Sequence, residues 1–193
     1  VERSRGLGDV YKRQEYIFRT LISKGDGTHT VYGNLAAICG MQNRFDEVIE
    51  LLHKALILKP DYGEAHYNLG IALKKQGYLE AAIASYKTAL KIEHKCPQIH
   101  YSLGIALYQQ GDLDTAVEEF KIALKLKDNY PEAHYNLGVS LKKQGDHIGA
   151  ITSYSNALKY KPDYPKAHYN LGNTFQETGD LIGAISSFKS ALR

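Results

Sequence analysis

The sequence predicts an all-α fold built from tandem 34-residue helix–turn–helix units, and three observations carry that prediction. HYNLG stands at 66–70, 134–138 and 168–172, with HYSLG at 100–104, so one pentapeptide recurs every 34 residues. Glycines keep the same period twice over, at Gly70, Gly104, Gly138 and Gly172 and again at Gly77, Gly111, Gly145 and Gly179. Apolar residues between them recur at helical spacing, as in His134, Leu137, Gly138 and Leu141, the pattern of an amphipathic helix. A fixed period of this length means one supersecondary unit stacked on copies of itself.

With the Leu-Gly pair at positions 7 and 8, the units run 29–62, 63–96, 97–130, 131–164 and a shorter 165–193. Ahead of them, residues 1–14 are expected to lie outside the fold, disordered and non-native. Residues 4–14, SRGLGDVYKRQ, lack the period and resemble a translated sequencing adaptor, to be set aside like any processing scar. Residues 15–28 are expected to hold the remnant second helix of an earlier unit, Glu15–Lys24, with Phe18 at its aromatic position. Unit 29–62 is the most divergent, with Ala36, Asn43 and Val48 where later units have glycine, glycine and alanine.

Unit 131–164 shows the logic of the others. Gly145 ends its first helix, because glycine accepts the left-handed conformation of a helix C-cap. Asp146 can cap the second, in which Ala150, Ile151, Tyr154, Ala157 and Leu158 share a face. Pro162 stops that helix, and Pro165 opens the next unit in a first turn, where its missing N–H costs little. Alanines recur at position 20 (Ala82, Ala116, Ala150, Ala184) and at position 27 (Ala89, Ala123, Ala157, Ala191), aromatics at position 24 (Tyr86, Phe120, Tyr154, Phe188). Small residues let helix backbones approach while the ring fills the space between them. Neither helix buries its stripe alone, so stability must come from stacking. The last unit breaks off at Arg193 with no polar capping helix, and the chain is expected to be part of a longer gene product.

Composition excludes several classes. At 44% hydrophobic and 23% charged the chain reads as globular, and no apolar run approaches the roughly 18 residues of a membrane span. The basic start is not followed by a secretory h-region. Cys39 and Cys96 lack metal-ligand or redox spacing, so reduced thiols in a cytoplasmic protein are expected. Of the net charge of +3, Arg5, Lys12 and Arg13 against Asp9 supply +2. The remainder is too balanced for a nucleic-acid binder. No G-x-S-x-G, H-E-x-x-H or G-x-x-x-x-G-K is present, so no catalytic residue and no cofactor are expected. His66, His100, His134 and His168 occupy one repeat position. Stacked helices hold equivalent residues about 10 Å apart, whereas zinc needs ligands at about 2 Å, so these read as packing residues and no metal is expected.

Leu-Gly at 7–8, Ala at 20, an aromatic at 24, Ala at 27 and Pro at 32, as in Pro60 and Pro162, together resemble the tetratricopeptide repeat. The resemblance implies a right-handed α-solenoid whose first helices line a concave groove, with positions 2, 5, 6, 9, 12 and 13 facing it. Position 6 carries Asn34, Asn68, Asn136 and Asn170, with Ser102 the exception. An amide that both donates and accepts suits the backbone of an extended ligand, and the row resembles the asparagine ladder in the repeat arm of O-linked N-acetylglucosamine transferases. The competing reading is a consensus residue bonding locally between neighbouring helices. Position 5 carries Tyr67, Tyr101, Tyr135 and Tyr169, with Gly33 departing from the row; these are recognition residues or packing along the inner wall. Ile71, Ile105 and Val139 at position 9 make the groove partly apolar, before Asn173. Lys74–Lys75 and Lys142–Lys143 at positions 12–13, with Glu64 and Glu132 at position 2, read acidic ligand groups or simply suit the helix dipole. Tyrosine occupies the position where a carboxylate-clamp lysine of this family would stand, so that activity is not carried over.

The function expected from these residues is a non-catalytic interaction module binding an extended peptide or partner protein in the groove. The alternative is the substrate-docking arm of a larger glycosyltransferase-like or sulfotransferase-like enzyme. An assembly scaffold, with self-association through exposed solenoid ends, is a third reading. Neither nucleic acid nor membrane is an expected partner.

Overall fold

The computed structural model describes the backbone of residues 2–192 and the side chains of residues 10–192. Val1, Arg193 and the side chains of the first part of the adaptor-like segment lie outside the described residues. Among the described residues there are eleven helices and no strand. They fall into two compact units, Val1–His94 and Lys95–Arg193.

The first unit holds α1 (Glu2–Ser23), α2 (His29–Met41), α3 (Phe45–Leu58), α4 (Gly63–Lys75) and α5 (Leu79–Ile92). The helix expected at 15–24 is the C-terminal part of a longer one, because α1 runs without a break through the segment expected to be disordered. Residues 9–22 contain neither glycine nor proline, so nothing there opposes helix. Phe18 and Ile22 pack against a cluster that includes Leu35, Cys39, Leu51, Leu52 and Leu69. Burial there pushes the Cys39 thiol up to about 11. Glu15 adds a polar tie, its Oε1 accepting from Arg44 at 2.7 Å and Arg19 at 2.9 Å. Burial raises the Glu15 carboxyl, but these hydrogen bonds outweigh it and hold the group below its ordinary value.

The glycine at position 8 is explained by the ring at position 24. A Cβ at Gly70 would stand 2.6 Å from the Tyr86 ring, which is fully buried. The divergent 29–62 unit changes both partners together: Ala36 takes the glycine's place and Leu52, also buried, replaces the ring. Asn43 stands in for the other glycine with φ of 59°, against 86° at Gly77; asparagine is among the few residues that enter this region readily.

The second unit holds α6 (Pro97–Gln110), α7 (Leu113–Leu126), α8 (Pro131–Lys143), α9 (His147–Tyr160), α10 (Pro165–Glu177) and α11 (Leu181–Ala191). A proline opens each of α6, α8 and α10. Asp112, Asp146 and Asp180 cap the intervening helices, accepting from the N–H of Thr115, Gly149 and Gly183 at 3.2, 2.8 and 2.9 Å. Phe120 and Tyr154 are almost wholly buried against Gly104 and Gly138. Successive helices α6 to α11 pack each on the next, and the first helices also touch one another directly, α6 on α8 and α8 on α10. No helix among the described residues is long and apolar enough to cross a membrane.

Candidate functional site

Within each compact unit the first helices present positions 5, 6, 9, 12 and 13 on one face. The structure relates two of these rows to each other in a way the sequence left open. In the second unit Asn136 Nδ2 donates to the Tyr101 hydroxyl at 3.0 Å, and Asn170 Nδ2 donates to the Tyr135 hydroxyl at the same distance. Each asparagine therefore holds the tyrosine of the preceding repeat. Asn136 Nδ2 also donates to the Glu132 carbonyl at 3.0 Å, so both amide hydrogens are used. In the second unit the asparagine donors bond locally, and the Asn136 carbonyl oxygen has no donor among the described residues.

The tyrosines pack on two sides. Tyr101 lies 6.0 Å from the Phe120 ring and 4.9 Å from Tyr130, and Tyr135 lies 6.0 Å from Tyr154 and 5.1 Å from Tyr164. Tyr67 meets Tyr86 at 6.0 Å, and Tyr169 meets Phe188 at 5.9 Å while remaining 56% exposed. Burial raises the Tyr135 phenol, the Asn170 hydrogen bond opposing it, and pushes Tyr164 up to about 12. Tyr62, Tyr130 and Tyr164 were not foreseen as part of this wall. Their signal was available: tyrosine at position 34 of three units, immediately before the next first helix. Each carries a lysine three residues earlier, with Lys59, Lys127 and Lys161 at 5.6, 4.8 and 4.6 Å from the respective ring centres.

The two candidate lysines differ. Lys142 pairs with Glu177 at 2.9 Å, a contact between α8 and α10. Lys74 is half-buried and makes no ion pair among the described residues; burial lowers its ammonium, with Lys75 adding to the effect.

The departures at the start of the array also have a geometry. Gly33 leaves a gap that Tyr62 enters, with its hydroxyl 3.2 Å from where a Gly33 Cβ would stand. Asn68, lacking a tyrosine at position 33, makes no hydrogen bond to a described residue, and Asn34 is exposed on α2. Between α2, α3 and α4 lies an apolar pocket of about 310 Å³, bordered by Ala37, Gly40, Met41, Phe45, Asn68 and Ile71 among others.

The repeated histidines all have partners within the fold. His66, His134 and His168 each place Nε2 on the carbonyl of the residue six earlier, Pro60, Asp128 and Pro162, at 2.9, 3.0 and 2.9 Å. A carbonyl only accepts, so Nε2 carries the proton. His100 instead contacts Glu119 through Nδ1 at 2.6 Å. No group of three or more His, Cys, Asp or Glu among the described residues is placed to hold a metal ion.

Comparison with known proteins agrees with the helical-repeat fold. The family model described as TPR repeat matches residues 41–77, 73–111, 104–145 and 140–179, well over half of the chain. A peroxisomal targeting signal receptor from Kluyveromyces lactis is 33% identical over 93 residues, which is 45% of this chain and 16% of that protein. A crystal structure of MamA is similar with a TM-score of 0.78 and 26% identity, over 82% of this chain and 92% of that one. YrrB, described as a TPR protein with an unusual peptide-binding site, shares the fold with a TM-score of 0.78 at 22% identity, over 91% of this chain and 90% of that one.

Proposed function

The chain belongs to the tetratricopeptide-repeat family, and from that premise we propose that it is a protein-interaction module holding an extended peptide against the first helices within a compact unit. The observation that carries the reading is the Tyr–Asn pairing of the second unit. Hydrogen bonds of 3.0 Å lock Asn136 and Asn170 onto Tyr101 and Tyr135, so these amides are fixed before a ligand arrives. A group already held in one rotamer loses little entropy on binding. With its donors used, Asn136 offers a ligand only its carbonyl oxygen, an acceptor for a peptide N–H. Asn34 and Asn68 keep donor and acceptor both, and suit a peptide bond more completely. The tyrosines form the wall beside the peptide, Tyr169 with the most open face. Lys74 supplies positive charge further along α4, whereas Lys142, paired with Glu177, offers less.

The test is selection of binders from an unbiased displayed library of random linear peptides, followed by affinity measurement on asparagine variants. Asn68→Ala is expected to weaken the selected peptides about five- to tenfold, the worth of one hydrogen bond, and Asn34→Ala similarly. For peptides bound on the second unit, Asn136→Ala is expected to weaken binding further, because it also removes the bond to Tyr101. Selected peptides that bind all three variants as tightly as the parent would overturn the reading, as would a library that yields no binder.

A further inference from the structure

We propose that the pocket between α2, α3 and α4 is a specificity site that accepts a bulky aliphatic side chain of an extended peptide, with an acidic residue two positions away received by Lys74. This rests on the peptide-binding reading above and adds to it which peptides are chosen.

Three features converge on the same face of the first unit. The first is that α2 is stripped of bulk. Its positions 5, 9 and 12 are Gly33, Ala37 and Gly40, where α8 carries Tyr135, Val139 and Lys142. Tyr62 takes up the space at Gly33, but at Ala37 and Gly40 the missing bulk leaves a pocket of about 310 Å³ floored by Ala36, Val48 and Ala72, at the small end of ligand pockets and scaled to one side chain. Its apolar lining returns the free energy of removing an aliphatic group from water. The second is Asn68, at the edge of that pocket. With no hydrogen bond to a described residue, its amide is available to the backbone of the residue whose side chain enters.

The third is Lys74, and it fixes the charge of the occupant. The lysine at the same repeat position in α8, Lys142, takes a carboxylate, Glu177, at 2.9 Å. Lys74 is half-buried without such a partner among the described residues, so its ammonium has given up water without receiving a counter-charge. A partly buried cation gains most from an anion brought by the ligand. The spacing agrees. Ile71 borders the pocket and Lys74 lies three residues on, about 4.5 Å along the helix axis. Side chains two apart in an extended strand are about 7 Å apart on the same side, within reach of a lysine side chain. The predicted ligand feature is therefore an aliphatic residue and an acidic residue separated by one residue.

The experiment is a fluorescence-anisotropy titration of the whole chain with two labelled, end-blocked heptapeptides, Gly-Ser-Leu-Ser-Glu-Ser-Gly and Gly-Ser-Glu-Ser-Leu-Ser-Gly, which present the pair in both orders. One order is expected to bind, and replacing its leucine by alanine or its glutamate by glutamine is expected to weaken binding about tenfold and about fivefold respectively. Gly40→Leu, whose Cβ would stand in ordinary contact with Val48 at 3.9 Å, is expected to erase the leucine-over-alanine preference, and Lys74→Gln the glutamate-over-glutamine preference, with far-UV circular dichroism unchanged. If Gly40→Leu alters the dichroism, Ala37→Val, which adds less volume, carries the pocket test. Equal binding of the leucine and alanine peptides overturns the pocket while leaving groove binding intact. No binding by either peptide at about 1 mM overturns the proposal outright, whereas the groove reading falls only if library selection fails too.

Discussion

Gly138→Ala tests the packing rule shared by the four repeats that follow unit 29–62. The new Cβ would stand 2.7 Å from Tyr154 Cε1, 2.8 Å from Cδ1 and 3.1 Å from Cζ, where carbon atoms at ease lie about 3.5–4.0 Å apart. The ring would have to retreat by about 1 Å, yet Tyr154 is only 1% exposed and has nowhere open to go. Overpacking of this kind costs about 1–3 kcal/mol, while alanine's better helix propensity returns about 1 kcal/mol. The expected outcome is a net change between about zero and a loss of 2 kcal/mol by urea unfolding. Unit 29–62 suggests the rescue, since there Ala36 faces Leu52. Adding Tyr154→Leu to Gly138→Ala should therefore cost less than the two single changes together, with a coupling of about 1–2 kcal/mol. Stabilisation of the single variant by about 1 kcal/mol, as helix propensity alone dictates, would refute the reasoning. So would additive behaviour of the pair.

The Asn170–Tyr135 bond should show in a double-mutant cycle of Asn170→Ala with Tyr135→Phe, each costing about 1 kcal/mol and the pair coupled by about 0.5–1.5 kcal/mol in thermal or urea unfolding; strict additivity would mean the bond contributes nothing. His134 should make stability pH-dependent. Burial lowers its imidazole below the ordinary value of 6.5, against an opposing hydrogen bond to the Asp128 backbone. The unfolded chain then binds the proton more readily than the folded one, so this contribution is intact above the unfolded pKa and is lost as pH falls below it. Urea midpoints between about pH 7.5 and 5 should decline less steeply for His134→Gln than for the parent; identical slopes would count against the account. Gly111→Ala, at φ of 95°, should destabilise by about 1 kcal/mol despite open space around it, read by the same unfolding assay.

What the sequence could and could not convey follows from the physics of its period. The two-helix units were legible because the 34-residue spacing of Gly138 and Gly145 marks a close helix approach and a left-handed turn, each with few chemical solutions. The Asp146 cap, with its 2.8 Å bond to Gly149, was legible for the same reason. The course of α1 was not, because a segment without period carries only helix propensity, and propensity says little about where a helix begins. At the candidate site the asparagine and tyrosine rows were visible as columns, but their mutual bond was not. It joins residues 35 apart in sequence, and only the stacking of one first helix on the next brings position 6 of one unit to position 5 of the unit before. The pocket beside Asn68 was hidden for a different reason: Gly33, Ala37 and Gly40 read as mere departures from a consensus until their neighbours are in place around them.

The most direct test of a peptide held on the first helices is nitrogen-15 heteronuclear correlation mapping of the chain with a library-selected peptide. The account predicts shifts at the side-chain amides of Asn34, Asn68, Asn136 or Asn170 and at backbone positions of the first helices α2, α4, α6, α8 or α10, with α3, α5, α7, α9 and α11 little changed. Shifts concentrated instead on those second helices, with the asparagine amides unmoved, would contradict it.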